Sequence, residues 1–349
     1  VPALALHVEP LRTDSQRDWQ RFLDSHDDTT LFHELAWRQA VETCFPHRAH
    51  YLLARRGGDI AGILPLFEIR SHFSPTFLLS VPYATYGGIA AEDGGVAIAL
   101  FDAACALREQ VGAASIQLRS ERAMVSDLPV QKTHAAFRGP LPNCEVDVPA
   151  VFPRKARAAA RQAGQRYPLV VEHDAGNLRD VWRLYARSMR RLGSPNYPLN
   201  FFQALRRGFG DRCIVQLLRL EGRPVAGLIS FVFKDAIMPY FVGVDERVKL
   251  YGLTHYLYQQ CMLEGVRRGC SVFDFGRTRY DNKGPFDFKR HCGFEPTPLE
   301  YQTLVPNGAR SPELSPTSAR WQLARRVWRY LPLSITRPVG AWAARSIPG

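Results

Sequence analysis

The chain has 349 residues, too many for one ordinary hydrophobic core and suited to two domains. A hydrophobic content of 46% with 11% aromatics excludes a disordered chain. The formal net charge of +12 favours an anionic partner, whether nucleic acid, a phosphorylated lipid or sugar, or a membrane face, over a merely soluble basic protein.

An alternating run, Leu4 to Val8, predicts a first strand, after which Trp19, Phe22 and Leu23 recur at helical spacing. Trp37, Ala40, Val41, Cys44 and Phe45 fall at i, i+3, i+4, i+7 and i+8, the stripe of a second helix. A hairpin follows, with Tyr51 to Arg55, the turn Arg56-Gly-Gly-Asp59, and Ile60 to Glu68. Phe77 to Val81 reads as a strand and leads into Pro82-Tyr-Ala-Thr-Tyr86-Gly-Gly88. Val96 to Gln110 reads as a helix stopped by Gly112, and Ile116 to Arg119 as the next strand.

The segment Pro149 to His173 is different. Pro153 opens an Ala-rich helical stretch in which Arg154, Arg157 and Arg161 share a face, and no acidic residue occurs from Pro153 to Val171. Such a helix is either a solvated connector or a phosphate clamp, because arginine suits bidentate phosphate binding. Leu178 to Leu192 carries a clean apolar stripe, reads as a core helix, and stops at Gly193-Ser194-Pro195.

Leu199 to Arg207 then predicts a helix. Val215 to Leu220 and Val225 to Phe233 predict a hairpin, and Ile237 to Gly243 a strand bearing Tyr240. Leu253 to Arg268 predicts a helix closed by Gly269, and Val272 to Phe275 a strand. The order helix, hairpin, strand, helix, glycine, strand has therefore occurred twice. Ile60-Ala-Gly-Ile-Leu64 even shares letters with Val225-Ala-Gly-Leu-Ile229. A repeated order of this kind predicts a duplicated α/β domain.

The richest stretch is Cys270 to Tyr301. Asp274 interrupts an apolar strand, and Asp-Phe-Gly-Arg277 brings polar groups to a sheet edge, where α/β folds bind ligands. Phe286 to Phe294 predicts a short helix that points Lys289 back at that strand end. Taken singly, Asp274, Arg277 and Lys289 read as a turn cap, an ion-pair partner and a solvated base. Within one short loop excursion they make a candidate site. The tail from Pro306 interleaves Trp321, Leu323, Trp328 and Leu331 with Arg325, Arg326 and Arg329. That pattern fits an interfacial membrane helix within residues 320–345, or a helix docked on the second domain.

Seven scattered cysteines without a CxxC spacing support neither a zinc site nor a disulfide framework, and fit a reducing compartment. No apolar run is long enough to span a bilayer, and Val1 to Glu9 has no signal-peptide pattern. The expectation is a cytoplasmic protein, at most peripheral at the inner membrane face. There is no P-loop, no Gly-x-Ser-x-Gly, no His-Glu-x-x-His and no GxGxxG after a strand. His47 and His50 lack a carboxylate at metal spacing, so no metal is expected, and no DNA-binding motif is evident.

Phe273-Asp-Phe-Gly-Arg277, followed by Phe288-Lys-Arg290 and Cys292-Gly-Phe-Glu-Pro296, resembles the C-terminal signature of FemAB-like transferases. It is similar in particular to the subgroup encoded with bacterial exosortase/PEP-CTERM and exopolysaccharide systems. The Arg154 helix resembles that subgroup's basic PRK-type helix, and Leu192-Gly-Ser-Pro195 resembles its Leu-Gly-Thr-Pro turn, with Ser194 keeping the hydroxyl.

The resemblance implies an α/β (α+β) fold of two tandem GNAT-like domains of the acyl-CoA N-acyltransferase type, each a mixed twisted sheet flanked by helices. They would occupy residues 1–148 and 174–305, with a basic linker helix region at 149–173 and a basic aromatic tail at 306–349. The implied activity moves an acyl or aminoacyl group onto an amine of a cell-envelope or exopolysaccharide precursor. No cofactor would be held permanently. The donor would be a co-substrate, aminoacyl-tRNA or acyl-CoA. GNAT enzymes hold the CoA pyrophosphate on [Gln/Arg]-x-x-Gly-x-[Gly/Ala]. Here Arg247-Val-Lys-Leu-Tyr-Gly252 has Leu250 in place of the first glycine. The coiled-coil arm of tRNA-using members is also missing, so the donor stays open.

By the same resemblance, Lys289 stabilises the oxyanion, and Asp274 orients the amine or takes its proton. Arg154, Lys155, Arg157 and Arg277 meet the phosphates of a phosphate-linked sugar or lipid acceptor in the cleft between the halves. Ser194 would contact substrate, and Tyr86 and Tyr240, read from the residues alone as strand-end aromatics, either line the pocket or belong to the core. The alternative is a catalytically inactive, membrane-peripheral scaffold of a polysaccharide assembly.

Overall fold

The computed structural model describes residues 5–71, 74–306 and 319–346. It divides into two units. The first holds Val1–Thr133, Pro298–Ser315 and Ala344–Gly349, and the second His134–Thr297 and Pro316–Ala343. The sequence reading places the boundary at 148 instead. Strand pairing explains the difference, because a segment from each half completes the other's sheet. His134–Pro140 precedes the second half but pairs antiparallel with Val272–Arg279. Glu300–Leu304 follows the second half but pairs antiparallel with Ile116–Ser120.

In the first unit, Leu6–Pro10, Leu52–Arg56, Asp59–Leu64 and Ala90–Ala91 form one antiparallel sheet. A second sheet contains Phe67–Ile69, Phe77–Leu79, Ile116–Ser120 and Glu300–Leu304 in that order. The helix Gln16–Ser25 buries Trp19, Phe22 and Leu23, and Leu35–Cys44 buries Trp37, Ala40, Val41 and Cys44, the stripes read from sequence. Gly94–Gln110 starts where the Asp93 carboxylate accepts the Val96 N–H.

The second unit has one seven-stranded sheet. Its order is Leu169–His173, Cys213–Leu220, Arg223–Phe233, Ala236–Val244, Val272–Arg279, His134–Pro140, Pro296–Pro298. Leu178–Leu192 lies on this sheet so closely that a Cβ at Gly243 would overlap the Leu184 and Tyr185 backbone. The supposed linker at 149–173 belongs to this unit. Its helix, Arg154–Arg166, buries Ala156, Ala159, Ala160 and Ala163 and packs on Leu253–Arg267, and Leu169–His173 is the edge strand. The tail forms the helices Ala319–Tyr330 and Leu333–Ala344. Among the described residues, no helix is long and apolar enough to cross a membrane.

Both units share one underlying order, strand, two helices, hairpin, strand, helix, strand, to which the first adds the short strands Arg48–Ala49, Phe67–Ile69 and Ala90–Ala91. In each, one strand before and the strand after the helix that follows the hairpin run parallel and pair over only two positions, Leu78/Ile116 and Leu79/Gln117 in the first, Ala236/Val272 and Ile237/Phe273 in the second.

Candidate active site

In the second unit the site lies where these two parallel strands part. Beyond Phe273, the strand Val272–Arg279 is paired only on its other edge, with His134–Pro140. That ladder contains one bulge. Ala136 faces Arg277 and Arg138 faces Asp274, so Phe137 alone stands opposite Phe275 and Gly276. Gly276 takes φ +68°, a conformation a side chain would resist.

The bulge turns backbone carbonyls out of the ladder, and a lysine fills the space they leave. Lys289, on the helix Lys283–His291, donates from Nζ to the carbonyls of Phe275 (2.7 Å), Arg277 (3.1 Å) and Gly276 (3.3 Å). The rings of Phe137 and Phe275 lie 5.2 and 5.6 Å from the same nitrogen. Asp274 holds the bulge from its other side. Its Oδ1 accepts the Gly276 N–H at 2.8 Å, and its Oδ2 accepts from Arg138 Nε at 2.7 Å. Arg138 and Phe137 were not legible as site residues, because both sit on a strand more than a hundred residues upstream.

Lys289 is only 9% exposed. Burial pushes its pKa down from 10.5 to about 7; Asp274 opposes the shift and Arg277 adds to it. Charged and neutral forms of the amine therefore coexist near neutrality. An aromatic wall stands beside it. Tyr258 packs 4.6 Å from Phe275, and His255 lies 5.0 Å from Phe288. Burial lowers the His255 pKa and raises that of Tyr258.

The Asp274→Asn variant should be destabilised by about 1–3 kcal/mol, since it weakens a charge-assisted bond to Arg138 while leaving the shape. It also removes the one carboxylate that holds the Lys289 pKa up, so the pH at which Lys289 loses its proton should fall. Urea denaturation across pH, in a cycle with Arg138→Gln, measures both effects.

The structure thus brings together Asp274, Arg277 and Lys289. Arg154, Lys155 and Arg157 are exposed on the first turns of their helix, on the side away from its buried alanines. Ser194 follows the left-handed Gly193 and donates its N–H to the Met189 carbonyl at 2.9 Å, closing the Leu178–Leu192 helix. Tyr240 packs edge-on against Phe241 at 4.8 Å. Tyr86 belongs to the first unit, where it is buried edge-on against Phe32. Among the described residues, no group of three or more His, Cys, Asp or Glu side chains could hold a metal ion.

Residues 152–290 match the acetyltransferase (GNAT) domain family. No curated protein sequence matches the chain. Among solved structures, FemX is similar at TM-score 0.69 and 14% identity, over 86% of this chain and 98% of that one. A tandem GNAT protein from the clavulanic acid biosynthesis pathway is similar at TM-score 0.56 and 14% identity, over 86% and 98%. L-PGS from Bacillus licheniformis is similar at TM-score 0.55 and 14% identity, over 90% and 97%. At such identities the likeness is one of fold. The chain folds as two tandem GNAT-like domains, each of mixed sheet and helices, as its repeated order of elements predicts.

Proposed function

We propose that the chain is a transferase that moves an aminoacyl group from aminoacyl-tRNA onto an amine of a phosphate-bearing cell-envelope or exopolysaccharide precursor, such as an exosortase-linked system would supply. The observation that carries this reading is a buried ammonium, Lys289, at the parting of two parallel strands inside a segment that matches a GNAT acetyltransferase domain. The neutral amine attacks the ester carbonyl and negative charge gathers on its oxygen. Lys289 neutralises that charge, giving up its longest bond, to the Gly276 carbonyl. Collapse of that oxyanion breaks the ester C–O bond and releases the terminal ribose hydroxyl of the tRNA, which takes up the proton that the amine gives off. Asp274, held by Arg138 and the Gly276 N–H, acts as a positioning residue that keeps the bulge in shape.

Two features favour a tRNA-borne donor over CoA. Gly252 heads the helix Leu253–Arg267, the place where a GNAT pyrophosphate would rest, and the backbone of Ala159 lies directly against it. A pyrophosphate there would have to displace the Arg154–Arg166 helix. The net charge of +12 also suits a polyanion. Arg154, Lys155 and Arg157 crowd the first turns of a helix with no acidic residue there, an arrangement that opposes the helix dipole. A bound phosphate relieves it, so these residues are the proposed acceptor contacts, with Arg277.

Native mass spectrometry with each donor in turn tests the reading. Charged tRNA should be retained and acyl-CoA should not. Retention of acyl-CoA alone would overturn the choice of donor, and retention of neither would favour a catalytically inactive scaffold.

A further inference from the structure

The tail has a second face with no role in the chemistry above. From Leu314 to Gly349 there are six arginines and no acidic residue. The inner side of the two tail helices is seated on the second unit. Arg190 donates to the Leu331 carbonyl at 3.3 Å, Asn196 to that of Arg337 at 3.4 Å, and the Arg337 guanidinium stacks over Trp182 at 5.5 Å. Arg325 lies against the αL Gly193, and Thr336 is fully buried. The helices are therefore held in one orientation.

The outer side carries Arg326 and Arg329 on the first helix and a run of large apolar side chains across both. Val327, Tyr330, Ile335, Val339 and Trp342 are 41–88% exposed, and they make up five of the twelve large exposed apolar side chains among the described residues. That concentration within sixteen residues is not the scatter of an ordinary surface. Ile335, Val339 and Trp342 fall at i, i+4 and i+7, one stripe of the helix Leu333–Ala344.

A cleft of about 530 Å³ lies where the tail helices meet the end of Leu178–Leu192 and the segment Val244 to Arg247. Arg187, Arg190, Arg191, Arg247 and Arg329 line it, against only Asp245 and Glu246. Asp245 pairs with both Arg187 and Arg247, and Glu246 pairs with Arg191. Three positive charges remain in excess. Arg329 and Tyr330 of the helix Ala319–Tyr330 and Leu333 of the helix Leu333–Ala344 line the cleft, so both tail helices contribute to it, and the helix that bears the stripe begins at its wall.

We propose that this surface docks the protein on an anionic lipid bilayer. The Ile335, Val339 and Trp342 stripe enters the boundary between headgroups and acyl chains, and the arginine cleft takes a lipid phosphate. Charge complementarity singles out this occupant. An apolar protein partner would not call for a positive cleft at the edge of the patch, and a free polyanion would not call for the patch. The inference rests on the tail and on the cleft that it lines, and stands whichever donor the enzyme uses.

Co-sedimentation of the full chain with vesicles tests it. Binding is expected to vesicles of phosphatidylcholine with about a third phosphatidylglycerol, and to be at least ten-fold weaker to phosphatidylcholine alone. Arg329→Gln should weaken binding about five-fold, the contribution of one arginine near such a surface. The double variant Ile335→Ser/Val339→Ser should weaken it at least ten-fold with an unchanged melting temperature. If that variant binds as the wild type does, diffuse charge explains the attraction and the proposal fails. Brominated lipid provides a reading that needs no variant. Tryptophan emission of the wild-type chain should be quenched on anionic vesicles, and vesicle binding without quenching would place the stripe outside the bilayer and overturn the inference.

Discussion

Replacing Lys289 with methionine is expected to lower turnover by at least 100-fold while the chain still folds. Methionine keeps most of the buried volume but cannot neutralise an oxyanion, and losing one such contact costs about 3–4 kcal/mol in the transition state. Stability should also fall, because three backbone carbonyls lose their donor. Each buried acceptor left unpaired costs about 1–3 kcal/mol. Removing a buried ammonium offsets part of that cost.

The pH dependence separates the charge from the shape. The folded Lys289 pKa, about 7, lies below its ordinary 10.5. Between those values the unfolded chain holds a proton that the folded chain has released. The Lys289 contribution to stability therefore rises with pH through this window, by up to about 1.4 kcal/mol per unit, and is flat below it. Urea denaturation from pH 6 to 10 should show the wild type gaining on Lys289→Met above about pH 7. Turnover should move the other way. It needs the ammonium, so the wild-type rate should fall as pH rises through about 7. A stability difference that is flat across pH, or a rate unaffected by the methionine, would remove Lys289 from the chemistry.

Much of this was legible in the sequence, for identifiable reasons. The helical stripes of Trp19, Trp37 and Leu178 are strong periodic signals, and the repeated order of elements survived as order even where letters did not. The shared Ala-Gly letters of the two hairpins turn out to mean different things. A Cβ at Gly62 would collide with Val96, on the helix that follows its sheet strands, whereas a Cβ at Gly227 would collide with Val181, on the helix that precedes them. Successive strand residues point to opposite faces, so likeness of letters does not ensure likeness of neighbours.

Asp274, Arg277 and Lys289 could be grouped because one loop joins them. Arg138 and Phe137 could not. Their strand, HAAFRGP, alternates poorly because Ala135, Ala136 and Phe137 are all buried, and its partner lies far along the chain. The bulge itself depends on a register offset between distant strands, which no local pattern records.

Gly252→Ala is expected to cost about 2–5 kcal/mol, and the comparison with Gly269→Ala shows why. Gly252 takes φ +78° and Gly269 φ +77°, so an alanine at either position meets the same backbone strain, about 1–2 kcal/mol. Their surroundings differ. A Cβ at Gly269 would find nothing within 4 Å. At Gly252 it would overlap the Ala159 carbonyl oxygen and lie 2.7 Å from the carbonyl carbon, both of them backbone atoms that no rotamer change can move aside. The whole Arg154–Arg166 helix would have to shift, at the usual overpacking cost of about 1–3 kcal/mol. The difference between the two urea midpoints therefore measures how firmly that helix is seated on the turn before Leu253–Arg267. A clear excess for Gly252→Ala means that the place of a GNAT pyrophosphate is filled by protein, and that a donor must be held elsewhere. Equal costs would mean that the helix yields easily, and CoA would return as a candidate donor.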